Sequence, residues 1–135
     1  MKQPLKLNEQ LMDELTEQAR QSVRLRMNYD LRNSVDDGSQ RMLNALEPGT
    51  VLPIHRHPTT SEVVVLLRGR IRQNIYDDRG QLTDSFVVEA GSPLPAFSLP
   101  AGTWHNTESL QPGTVLLECK DGPYAPLSAA DILVP

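Results

Sequence analysis

GTVLPIHRHPTTSEVVVLLRG, running from Gly49 to Gly69, holds two histidines two residues apart, then a glutamate, then an unbroken apolar run. In an extended segment, residues two apart project from the same face, so the His55 and His57 imidazoles leave together. Pro58-Thr59-Thr60-Ser61 is a proline-led loop that can carry the Glu62 carboxylate back toward them. The third and last histidine, His105, stands far downstream, just after the turn Pro100-Ala101-Gly102. Three imidazoles and a carboxylate suit one borderline divalent ion: zinc, iron, nickel, cobalt or manganese. Closed structural zinc sites favour cysteine, so this donor set reads as an open site with positions left for water or ligand.

Outward from this stretch the chain reads as short strands. Leu25, Met27, Tyr29 and Leu31 alternate with Arg24, Arg26, Asn28 and Asp30, the period of a half-buried strand. Further extended runs are expected over Arg41–Leu46, Thr50–His57, Glu62–Arg68, Arg70–Tyr76, Leu82–Glu89, Ala96–Leu99 and Val115–Lys120. Pro48-Gly49, Gly69, Asp77-Asp78-Arg79-Gly80, Gly91-Ser92-Pro93, Pro100-Ala101-Gly102 and Gln111-Pro112-Gly113 break them. Short strands divided by such turns predict an antiparallel sandwich or barrel. Before them, Asn8 can cap a helix that Leu7 and Met12 staple, with Leu11, Leu15, Ala19 and Val23 along one stripe. Ser128 to Asp131 can start a short terminal helix. The expected organisation is one domain: a helical extension over 1–23, a barrel over 24–125 and a tail over 126–135.

Composition narrows the function. The 135 residues suffice for one core, and a net charge of −4 argues against nucleic acid as the main partner. The lone Cys119 makes no intrachain disulfide and no CxxC motif; it reads as a buried small hydrophobe. The longest apolar run, Val63 to Leu67, is far short of the roughly 20 residues of a membrane span. MKQPLKLNEQ lacks the apolar segment of a secretory signal, so the expected location is cytoplasmic.

Gly49-x5-His55-x-His57-x4-Glu62-x6-Gly69 resembles the first motif of the cupin superfamily at every specified position. Pro100-x-Gly102-x2-His105 is similar to part of the second motif; its leading glycine is displaced and Ser109 stands in the asparagine's place. More narrowly, the chain resembles the WbuC family of small bacterial cupins in Arg24–Asn28, Gln40–Gly49, His55–Pro58 and Gly122-Pro123-Tyr124. The resemblance implies an all-β fold, the double-stranded β-helix or jelly-roll barrel, with an N-terminal α-helix. It implies one divalent metal on His55, His57, Glu62 and His105. It also implies a link to bacterial O-antigen and lipopolysaccharide biosynthesis, and a homodimer.

The remaining candidates surround that centre. Arg26 and Arg41 lie in strands, where they either face solvent or turn inward to grip a carboxylate or phosphate with a bidentate fork. Asn28 shares the face of Arg26. Glu118, in an apolar run, is either the catalytic acid or base beside the metal or the outward member of an alternating pair. Tyr124 can line the pocket mouth or pack on the barrel rim. Arg56, between the histidines, must point away from them, and Trp104 reads as core. The expected ligand is a small anionic sugar or sugar-nucleotide derivative. Isomerase, lyase, dioxygenase and hydrolase chemistry remain open, as does a non-catalytic binding or structural role.

Overall fold

In the computed structural model, residues 3–133 are described, and two five-stranded antiparallel sheets pack face to face. The chain begins with α1 (Glu9–Gln21), then β1 (Arg26–Asp30), β2 (Ser39–Leu46), β3 (Ile54–His55), β4 (Glu62–Arg68) and β5 (Arg70–Tyr76). It continues through β6 (Leu82–Glu89), β7 (Ala96–Leu99), β8 (Trp104–Ser109) and β9 (Thr114–Asp121). A 3-10 turn (Ala129–Asp131) then leads into β10 (Ile132–Leu133). One sheet runs β1-β2-β9-β4-β7 and the other β10-β3-β8-β5-β6. The two sheets form the expected double-stranded β-helix, or jelly-roll barrel, with one N-terminal helix laid on its outside.

Asn8 caps α1 by accepting a hydrogen bond from the Leu11 amide at 3.0 Å. Met12, Leu15 and Ala19 then bury against Leu43, Ala45 and Val115, so the helix covers the outer face of the first sheet. The expected stripe ends early. The helix stops at Gln21, and Val23 is wholly exposed. Arg68 pins the helix to the barrel, donating to Asp13 at 2.6 Å, Thr16 at 2.8 Å and the Gly113 carbonyl at 2.8 Å. Leu25 adopts φ 56°, so β1 starts at Arg26 rather than Arg24.

The barrel interior is divided. One end is filled by Leu46, Val64, Leu66, Ile71, Val88 and Leu116, closed by Phe86 and Phe97 in edge contact at 5.6 Å. The other end is left to the histidines.

Two expectations about elements need correcting. The run Thr50–His57 is a strand only at Ile54–His55, because Pro53 and Pro58 carry no N–H for a ladder. Strand β8 was absent from the sequence reading, yet it is central in its sheet. Strand β10 adds to the expected strands: it pairs with β3, placing Ile132 opposite His55.

Candidate metal centre

Each histidine arrives by a different route. His55 sits at the end of the two-residue strand β3 and pairs across the sheet with His105 on β8. His57 lies beyond that strand, where its carbonyl accepts the Gly102 amide at 2.8 Å, tying it to the turn that precedes His105. Glu62 opens β4, which belongs to the facing sheet. The His55, His57 and His105 ligand atoms all lie within 4.8 Å of one another. Glu62 Oε1 stands 3.0 Å from His105 Nε2. His105 and Glu62 are buried, while His55 and His57 are half-buried.

The rings are held from behind. His55 Nδ1 is 2.9 Å from the Pro53 carbonyl, and His105 Nδ1 is 2.8 Å from the Thr103 carbonyl. A carbonyl can only accept, so each Nδ1 carries the hydrogen and each Nε2 is left to act as ligand. His105 Nε2 then meets a carboxylate oxygen, and that contact is satisfied only by a proton or a cation between the two. The donor set and this unresolved contact fit a divalent cation.

Electrostatics agree. Burial, helped by the neighbouring His105, holds His55 down to about 4. Burial and then the Lys120 charge hold His57 down to about 4. Both are therefore neutral and metal-competent at pH 7. Burial pushes the Glu62 carboxyl up, but in the metal-free protein a hydrogen bond from protonated His105, with the Lys120 charge, outweighs it. Its pKa is lowered.

The centre lies in a cavity of about 240 Å³ between the sheets. Along β2, Gln40, Met42, Asn44 and Leu46 face this space; along β9, Leu116, Glu118 and Lys120 do. Arg26, Asn28 and Tyr124 line it too, with Arg26 Nη1 donating to the Val51 carbonyl at 3.2 Å. Glu118 faces inward, and burial together with the Glu62 charge pushes its carboxyl up to about 7. Arg41 does not line this cavity. It alternates with Gln40 and Met42 along β2 and is bound to Asp37 Oδ2 at 2.9 Å and the Leu31 carbonyl at 3.3 Å. Arg41 instead lines a small adjoining hollow together with Gln40, Met42, Glu118, Lys120 and Tyr124, and its bond to Asp37 ties the 33–39 loop to the edge of the site. Arg56 turns away, its guanidinium 4.5 Å from the centre of the Trp104 ring and its Nε 3.0 Å from Asp131.

Lys120 was missed by sequence reasoning. Its ammonium lies 3.9 Å from Glu62 Oε2, and its spacing of two from Glu118 was the available signal.

Residues 7–88 match the family model described as a domain of unknown function, DUF6016. The chain belongs to the DUF6016 family. No curated protein matches it. Among solved structures, it is similar to KdgF from Halomonas sp., at 14% identity and TM-score 0.59, over 73% of this chain and 82% of that one. It is also similar to the capsular polysaccharide assembling protein CapF from Staphylococcus aureus, at 21% identity and TM-score 0.62, over 73% of this chain and 29% of that one. A third similar structure is oxalate decarboxylase from Bacillus subtilis, at 19% identity and TM-score 0.61, over 78% of this chain and 28% of that one. The DUF6016 chain thus spans most of KdgF but under a third of the other two. At these identities the likeness concerns the fold, and the fold is the cupin barrel.

Proposed function

We propose that this DUF6016 protein binds one divalent metal through His55, His57, His105 and Glu62 and uses it to hold a small anionic, sugar-like ligand. The observation that carries this reading is the convergence of three histidine nitrogens within 4.8 Å at the wall of the cavity between the sheets. Oxalate decarboxylase from Bacillus subtilis, which shares the fold, has Mn(II) centres.

When bound, the ion supplies Lewis acidity to a ligand oxygen. The chain's own residues supply the rest. Arg26 and Lys120 put two positive charges on the wall beside the histidines, where they neutralise a carboxylate or phosphate. Asn28 offers hydrogen bonds beside Arg26, and Tyr124 stands at the mouth, 59% exposed, with the Arg32 guanidinium 5.6 Å from its ring centre. Glu118, raised to about 7, holds or releases a proton at neutral pH and is the group suited to acid–base work.

A second hollow of about 440 Å³ shares Arg26, Asn28, His57, Lys120 and Tyr124 with the cavity and extends under Pro123–Ser128 of the tail. A sugar group therefore fits inside while a larger substituent, such as a nucleotide, lies outside. A place in O-antigen or lipopolysaccharide biosynthesis accords with the WbuC resemblance and with the capsular polysaccharide role of CapF.

The test is calorimetric titration of metal-loaded protein with gluconate, a polyhydroxylated carboxylate. Arg26→Ala should weaken binding at least tenfold with metal retained, and Arg41→Ala should leave it unchanged. Equal effects of the two substitutions, or binding that ignores metal, would contradict the proposal.

A further inference from the structure

Gln73 of β5 is fully buried in the barrel yet lines the cavity. It stands directly across the ladder from Thr107 of β8. The Thr107 hydroxyl donates to Gln73 Oε1 at 2.7 Å, which fixes the amide plane and commits its oxygen. The amide nitrogen, Nε2, has no hydrogen-bond partner among the described residues. A buried, unpaired donor is costly, and a native fold keeps few of them. Packing does not call for one here, since Leu116 and Val64, which also line this space, are apolar.

We infer that Gln73 Nε2 is a ligand-binding donor, a second recognition point set deeper in the cavity than the metal centre. The inference rests on the proposed function and names what the ligand must carry. His105 and Thr107 share one face of β8, two residues apart, so Gln73 lies about 7 Å along the barrel from His105. A ligand whose carboxylate is held by the metal centre, Arg26 and Lys120 therefore needs an acceptor oxygen four or five bonds further on. That describes a hydroxylated carboxylic acid of about four to six carbons, the size of a sugar acid. The cavity's 240 Å³ equals the volume of about eight waters, which accommodates such a molecule. The Gln73–Thr107 pair thus selects for a distal oxygen, whereas the cations select for charge.

The test compares 4-hydroxybutyrate with pentanoate, which has the same chain with a methyl in place of the hydroxyl. In zinc-loaded protein, 4-hydroxybutyrate should bind at least tenfold tighter. Gln73→Met should erase that preference and leave zinc content unchanged. A merely structural glutamine would leave the preference intact on substitution, whatever the change in Tm. If Gln73→Met does not fold, the Gln73 side-chain amide proton resonances of the native protein should move on adding 4-hydroxybutyrate and not pentanoate. Native protein that takes up zinc but shows no preference overturns this inference alone. Protein that takes up no zinc but keeps the preference overturns the metal reading alone.

Discussion

Glu62 Oε1 faces His105 Nε2 at 3.0 Å, while Nδ1 of the same ring is committed to the Thr103 carbonyl at 2.8 Å. The ring's free nitrogen and a carboxylate oxygen are both acceptors, so the pair is satisfied only by a proton or a cation between them. Glu62→Gln replaces one acceptor with an amide donor that can hydrogen-bond Nε2 directly. The metal-free variant should therefore match or exceed the native Tm, yet bind metal at least tenfold more weakly. Thermal scans with and without added zinc check both halves.

Gly69 carries the chain from β4 in one sheet to β5 in the other at φ +85°. A Cβ there would lie 2.7 Å from the Thr114 Cα, so the obstacle is backbone as well as side chain. Gly69→Ala adds left-handed strain to overpacking and should cost on the order of 2–4 kcal/mol. Denaturant melts measure it. A loss under about 0.5 kcal/mol would mean this corner is looser than described.

Protonation of the metal-free protein has two opposing contributions. His55 and His57 are held near 4, against the ordinary 6.5, so acidification through that window protonates the unfolded chain first and costs stability. Glu118 is raised to about 7 from 4.5, so its contribution is present at low pH and is lost as pH rises through that interval. Two imidazoles outweigh one carboxyl. Tm of the metal-free protein should fall as pH drops from 6.5 to 4.5, and Glu118→Gln should steepen that fall. A Tm flat across this range would contradict the assignment of these groups to the cavity wall.

The meeting of the histidines was legible because it depends on spacing. His55 and His57 lie two apart near a short strand, and the proline-led loop returns Glu62 toward them. Helix α1 was legible from Asn8 and the Leu15–Ala19 stripe. Strand β8 was not, because its inward positions are His105 and Thr107, so a central strand shows no apolar alternation. Strand β10 was too short to show a period at all. Arg41 illustrates a different difficulty. Parity along β2 places Met42 and Asn44 in the main cavity, while Asp37 draws Arg41 to the smaller hollow it shares with Glu118 and Lys120, a placement no strand pattern shows. Gln73 was hidden for the opposite reason: a glutamine in a strand reads as solvent-facing, and only the ladder opposite Thr107 shows it buried.

The most direct measurement is metal content by mass spectrometry, on protein purified without chelator and then reloaded with a panel of divalent ions. Native protein and Arg41→Ala should each hold close to one ion per chain, and His57→Ala and His105→Ala should each lose it. Native protein that retains no ion after reloading, or histidine variants that retain it fully, would contradict the metal centre and the function built on it.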